Sequence, residues 1–231
     1  MNKEIELKFG IENMPNFDEY ENIKVYEIVQ DYLYKDEFSS IRKRKLLDLQ
    51  QEECKYIYTV KTKGDIKNNN SVYEIETTIS KEEYDCIQSK NNIVKKYRIC
   101  IPITDKLIAE IDIYYGNLEG LITVEVEFKN EKDLSIFKKP IWFGDELNKK
   151  FFSNANLSNM SRDEFVNIMG VDNINKNMVL KNKIEKRLLY IKSVWLIEIC
   201  WNGGLIMKKL KTGILLIILG KLIMFSLYIF L

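Results

Sequence analysis

Seven strand-like runs in the first 127 residues each hold a pair of like charges two positions apart: Glu4 and Glu6, Arg42 and Arg44, Lys61 and Lys63, Glu74 and Glu76, Lys96 and Arg98, Glu110 and Asp112, Glu125 and Glu127. A step of two puts both members of a pair on one face of a β-strand, because successive side chains point to opposite sides of the pleat. The residue between them is often apolar (Ile5, Ile75, Ile111, Val126), so the opposite face is in contact with something as well. Lys8 extends the first pair to a third step, and the charged face then carries eight acids against seven bases. Taken singly, each pair reads as a solvated strand face with cross-strand ion pairs, each contributing about 0.2–1 kcal/mol. Repeated on seven strands, the pattern predicts a sheet with one charged and one apolar face, which can close into a barrel with either face inward. A charged lumen needs charged contents. Carboxylate pairs suit hard cations such as Mg²⁺ or Mn²⁺, Arg and Lys suit phosphate oxygens, and together they fit a metal-chelated polyphosphate.

The rest of the composition narrows the classes. Lys and Arg total 35 against 34 Asp and Glu, a net charge of +1, so no overall field draws the chain to nucleic acid or to a membrane. Histidine is absent, which removes His-based triads, HExxH zinc sites and imidazole acid–base chemistry. Cys54, Cys86, Cys100 and Cys200 are too far apart for CxxC motifs and read as small apolar residues in a reducing compartment. The charged start, Met1 to Lys8, does not resemble a signal peptide.

Three parts follow one another. Residues 1–160 carry the strand pattern. Residues 161–211 are Asn- and Lys-rich with weak helical segments, such as Arg162 to Met169 and Met178 to Lys192, and read as a helical linker. Residues 212–231 are almost wholly apolar, with Lys221 the one charge. Twenty such residues span about the 30 Å hydrocarbon core. Lys208, Lys209 and Lys211 precede them, so a tail anchor would hold the rest of the chain in the cytoplasm. A helix docked on the sheet and a tail created by a shifted reading frame are the alternatives.

The order of these motifs resembles the CYTH superfamily, the triphosphate tunnel metalloenzymes. Glu4-Ile5-Glu6-Leu7-Lys8 matches the family's ExExK signature. The Gln30/Tyr32/Leu33 strand, the RxR at Arg42, the KxKG ending in Gly64, the ExE at Glu74, the KxR at Lys96, EIDIYYG and LEGLITVEVEF follow in the family's order. Trp142-Phe143-Gly144 and Phe152 to Leu157 resemble its closing helical element. The resemblance covers residues 1–157, and nothing after about Asn159 belongs to the pattern.

That resemblance implies an α+β fold built on an eight-stranded antiparallel β-barrel with flanking helices. It implies Mg²⁺ or Mn²⁺ held by Glu4, Glu6, Glu125 and Glu127. Lys8, Glu110 and Asp112 would serve catalysis, Arg42, Arg44, Lys61, Lys63, Lys96 and Arg98 would grip phosphate, and Glu74 and Glu76 would be further tunnel acids. The expected reaction is metal-dependent hydrolysis of a small triphosphate, foremost inorganic tripolyphosphate. Thiamine triphosphate hydrolysis, a class IV-type adenylate cyclase and a non-catalytic polyphosphate- or nucleotide-binding module are the rivals. No nucleic-acid partner is expected.

Overall fold

The computed structural model describes residues 5–63 and 72–202. Its centre is one antiparallel sheet of nine strands: β1 (Ile5–Ile11), β2 (Lys24–Lys35), β3 (Ser39–Asp48), β4 (Cys54–Lys63), β5 (Val72–Ile79), β6 (Ile93–Pro102), β7 (Ile108–Tyr115), β8 (Ile122–Phe128) and β9 (Phe143–Glu146). They lie in the order β5-β4-β3-β2-β6-β7-β8-β1-β9. With five short or long helices, α1 (Lys81–Cys86), α2 (Glu131–Ile136), α3 (Asn154–Leu157), α4 (Arg162–Met169) and α5 (Val171–Asn202), the fold is α+β, as expected.

Two expectations about the sheet are corrected. It has nine strands rather than eight, and no described pairing joins β5 to β9, so the hydrogen-bond ladder is not closed. The cause lies at β1. One edge of that strand pairs with β8, while the other is taken by β9 and by the Leu147 N–H on the Lys8 carbonyl at 2.8 Å, leaving β5 no free edge there. Phe143-Gly144, assigned by resemblance to a closing helix, is therefore strand, and only Asn154–Leu157 of that element is helical.

Local chemistry sets the strand ends. The Asp36 carboxylate accepts the N–H groups of Phe38 (2.7 Å) and Ser39 (2.6 Å), which turns β2 into β3. Asp48 does the same for Gln50 and Gln51 between β3 and β4. Ser80 and Ser161 cap α1 and α4, each in a reciprocal box with a glutamate three residues on. The helix expected over Arg162–Met169 forms over those residues.

Alternation along the strands sorts two environments. Ile99, Ile101, Ala109, Ile111, Val124 and Val126, on the face opposite the charged pairs, are wholly buried. A second cluster stands at one mouth of the curled sheet, where Tyr32, Val94 and Tyr114 meet Leu118, Leu121, Leu157, Phe165 and Ile174. The residues after Asn159, which fall outside the familiar motif pattern, thus contribute Phe165 and Ile174 to the core. By contact the chain divides into a first unit, residues 1–178, and a second, residues 179–231, of which the described part continues α5 to Asn202. Among the described residues no helix is long and apolar enough to cross a membrane, and the apolar tail over 212–231 lies outside them. Cys54, Cys86 and Cys100 are free thiols, the first two exposed.

The β7–β8 connection is held to the helices by hydrogen bonds from Arg162 to the Asn117 and Glu119 carbonyls and by one from Asn177. Asn177 donates to the Gly120 carbonyl at 2.8 Å, and Gly120 sits at φ +94°, where a Cβ would come within 2.6 Å of Ile174 Cγ2. Gly120→Ala combines left-handed strain with a clash and is expected to cost about 1–3 kcal/mol. The check is the urea midpoint, and an unchanged midpoint would show that the connection tolerates a side chain.

Candidate active site

The curled sheet turns its charged face onto a cavity of about 270 Å³. Every strand from β1 to β8 contributes to its wall, and α3 with the residue before it adds Ser153, Asn154 and Ala155. Among the described residues the wall carries six cations (Lys8, Arg42, Arg44, Lys61, Lys96, Arg98) and six carboxylates (Glu6, Glu74, Glu76, Glu110, Glu125, Glu127). Register explains their sorting into two networks. Arg42 faces Thr59, which faces Glu76, and Lys61 faces Glu74, across β3, β4 and β5. Arg98 faces Asp112 across β6 and β7, Glu110 faces Glu125 across β7 and β8, and Lys8 faces Glu125 across β8 and β1.

In the first network Arg42 Nη2 reaches Glu74 at 3.1 Å and Glu76 at 3.4 Å, while Arg44 Nη2 reaches Glu76 at 2.6 Å and Lys61 Nζ reaches Glu74 at 3.1 Å. Glu76 also accepts from the Thr59 hydroxyl at 3.0 Å. Burial pushes the Glu76 carboxyl upward, but Arg44, Thr59 and Arg42 outweigh it and hold the group below its ordinary value. Glu74 and Glu76 therefore act here as counter-charges that aim the arginines. The ε-nitrogens of Arg42 and Arg44 are buried and meet no acceptor among the described residues, so both guanidinium groups retain donors that these residues do not use.

The second network centres on Arg98. Its Nε and Nη2 meet the two oxygens of Asp112 at 2.7 Å each, Nη2 also meets Glu125 Oε2 at 2.7 Å, and Nη1 meets Glu110. Lys96 pairs closely with Asp112. Lys8 pairs with Glu125 Oε1 and donates to the Phe152 carbonyl at 2.8 Å, tying β1 to the turn before α3. Asp112 is fully buried and does not line the cavity; it lies behind Lys96 and Arg98 as their shared counter-ion. Burial raises the Glu110 carboxyl, with Arg98 pulling it back and Asp112 and Glu125 adding to the rise. Glu125 is held well below its ordinary value: burial works against its charge, but Lys96, Lys8 and Arg98 prevail.

The remaining expected residues are placed as follows. Lys63 is fixed by backbone pairing with Val72 at the end of β4. Glu6 and Glu127 are cross-strand partners on the wall, and Glu6 meets Lys149 at 3.2 Å. Glu4 lies outside the described residues. Among the described residues no three acid or thiol groups converge to hold an ion. The donor set nevertheless fits a hard divalent cation. Glu6, Glu125 and Glu127 face one cavity from adjacent strands, and Glu125 uses two of the roughly four acceptor positions of a carboxylate on Lys8 and Arg98. Gln30, Tyr32, Ser40, Ser153 and Asn154 also line the wall, and sequence reasoning gave them no role there. Gln30 and Tyr32 share a two-residue step on β2, and Ser40 stands one such step before Arg42, so the period-two rule would have found these three.

No family model matches the chain. A protein of Nitrosomonas europaea named inorganic triphosphatase is 31% identical over 113 residues, covering 48% of this chain and 74% of the relative. A protein of Acetivibrio thermocellus with the same name is 32% identical over 151 residues, 64% of this chain and 86% of the relative. The chain belongs to the CYTH triphosphatase family.

Solved structures similar to this CYTH chain include an inorganic triphosphatase, at 26% identity and a TM-score of 0.47, covering 68% of this chain and 95% of that one. A Pyrococcus horikoshii protein follows at 19% identity and a TM-score of 0.42, covering 57% and 82%. In the CYTH chain described here, the balance of the wall has a direct chemical meaning. Among the described residues the carboxylates of the wall equal its cations in number, so each side of the cavity carries its own counter-charges.

Proposed function

We propose that the chain hydrolyses a triphosphate to phosphate and pyrophosphate, with inorganic tripolyphosphate as its foremost substrate and Mg²⁺ or Mn²⁺ as its cofactor. The observation that carries this is the lining of the cavity. Six cations reach into about 270 Å³, while Ile28, Tyr32 and Ala155 are the sparse apolar contribution. Pockets for drug-sized ligands run to about 300–1,000 Å³ with mostly apolar walls. A bare triphosphate suits the smaller, charged space; a nucleoside or thiamine moiety finds no stacking platform in it beyond Tyr32, which is itself only 4% exposed.

Phosphoryl transfer asks mainly for positioning and charge neutralisation. In this reading Arg42, Arg44, Lys61 and Lys63 on one side, and Lys96 and Arg98 on the other, grip phosphate oxygens. The paired acids Glu74 and Glu76 keep Arg42, Arg44 and Lys61 aimed before substrate arrives, and Asp112 does the same for Lys96 and Arg98. Lys8, pinned between Glu125 and the Phe152 carbonyl, is assigned to the reacting phosphate. Glu6, Glu125 and Glu127, with Glu4, are assigned to the divalent cation, which when bound supplies Lewis-acid neutralisation of phosphate oxygens. Glu110, whose carboxyl is raised chiefly by burial, is assigned to catalysis on the same wall.

Release of orthophosphate from tripolyphosphate, ATP and thiamine triphosphate, with Mg²⁺ or Mn²⁺, tests the proposal. Preference for tripolyphosphate is expected. Preference for ATP with cyclic AMP as product, or tight binding of tripolyphosphate without turnover, would replace it by the cyclase or the binding-module reading.

A pH dependence follows from Lys96. Burial, with Arg98 beside it, lowers this ammonium to about 8, although Asp112 and Glu125 pull it up; Lys8 adds to the lowering, and the Tyr114 ring lies 5.5 Å from its Nζ. A lysine lowered in this way is charged below that pH and neutral above it. kcat/KM, which reports the free enzyme, is therefore expected to fall as pH rises through about 8. Lys96→Arg keeps its charge and should move that limb to higher pH; a limb that stays in place assigns it to another group.

A further inference from the structure

Gln30 is 2% exposed, lines the cavity from the middle of β2, and buries a carbonyl oxygen, Oε1, that meets no donor among the described residues. Its cross-strand neighbours are Arg44 on β3 and Val94 on β6, and Lys96 stands one inward step from Val94. The amide thus sits between the two cationic sides of the wall. Lys and Arg side chains are donors only. A triphosphate brings acceptors and no donor to offer an orphan carbonyl. Arg44 and Arg42 keep unused Nε donors, but neither is bonded to this oxygen, and the donor that hydrolysis adds to the cavity is water.

We propose that Gln30 is a further catalytic residue, whose side-chain carbonyl accepts a hydrogen bond from the attacking water and holds it against the terminal phosphorus. The proposal rests on the triphosphatase reading above. The terminal torsion of a glutamine is broad and roughly two-fold, so the amide turns its oxygen toward the cavity or away from it at small cost. With the oxygen on the water, the NH₂ end is left to neighbouring acceptors. Gln30 orients the water and takes no proton. The water oxygen bonds to phosphorus as the anhydride P–O bond breaks, the bond pair leaves with pyrophosphate, and the proton of water is taken up by the released phosphate.

The test uses the full chain with tripolyphosphate and a divalent cation. Gln30→Leu removes the acceptor at similar volume and is expected to lower kcat about a hundredfold, the scale of losing one positioning contact, with KM within about threefold. Its melting temperature should be unchanged or higher, since an unpaired polar group leaves a buried position. Gln30→Glu keeps an acceptor and should retain clearly more kcat than Gln30→Leu, with a raised KM because the carboxylate repels phosphate. If Gln30→Leu does not fold, Gln30→Met takes its place.

An unchanged kcat overturns the proposal, as does a rise in KM at constant kcat, which would make Gln30 a phosphate donor. So does equal loss in the Leu and Glu variants. A wild-type chain that releases no phosphate from any triphosphate defeats the reading of function and this inference with it, and that result is told apart because it needs no variant.

Discussion

Arg98→Leu is expected to be the most damaging single substitution in the charged wall. One guanidinium answers Asp112 through two bonds and Glu125 and Glu110 through one each. Without it, Asp112 keeps Lys96 and Glu125 keeps Lys8, while Glu110 loses the arginine it meets and still faces Glu125 across β7 and β8. Breaking a buried ion pair by deleting one partner costs about 3–5 kcal/mol, because the survivors remain charged and unpaired. A loss in that range should appear in the urea midpoint, and turnover should fall by at least about 10³-fold, since a phosphate contact and the alignment of its neighbours go together. Arg98→Lys keeps the charge without the fork and is expected to fall between Arg98→Leu and wild type in stability. Wild-type stability in Arg98→Leu would mean that the three acids relax into solvent or protonate at little cost.

Removal of divalent cations is the second large effect. Chelation is expected to abolish phosphate release and leave the fold intact, because the described carboxylates are already paired by Lys8, Arg98, Lys149 and the arginines of β3. Restoring Mg²⁺ or Mn²⁺ together with tripolyphosphate should recover turnover and raise stability by about 2.7 kcal/mol at a hundred times the dissociation constant. That corresponds to roughly 5–10 °C in Tm for a unit of this size. Glu125→Gln separates ligand from structure. It should remove turnover, and, since Glu125 also answers Lys8 and Arg98, it should cost stability as well. Full activity in chelator, or in Glu125→Gln, would dismiss the assignment of this acidic side to a cation.

The inner face of the sheet was legible because a step of two fixes the side of a strand regardless of register. Hence Arg42, Arg44, Lys61, Glu74, Glu76, Lys96, Arg98, Glu110, Glu125 and Glu127 are found on one cavity. Partnership was not legible, because it depends on register, and a shift of two residues preserves the face while changing every neighbour. That is why Asp112 read as a site acid when it is the buried counter-ion of Lys96 and Arg98, and why Glu74 and Glu76 gave no hint of their arginines. The four-residue β9 escaped because Phe-Gly-Asp-Glu has neither length nor alternation, and its pairing with β1 is tertiary in origin. Gln30 carries no charge, so a pattern of charges passed over it.

The turn before α3 and its first residues form part of the cavity wall through Ser153, Asn154 and Ala155, and the Phe152 carbonyl holds the ammonium of Lys8. Substrate surface is therefore divided between a sheet that supplies charge and a short C-terminal cap that supplies neutral polar groups. A chimera that takes its cap from a relative would keep every charged strand residue and alter only the neutral contacts, so preference among triphosphates could drift without any change in the groups that grip phosphate.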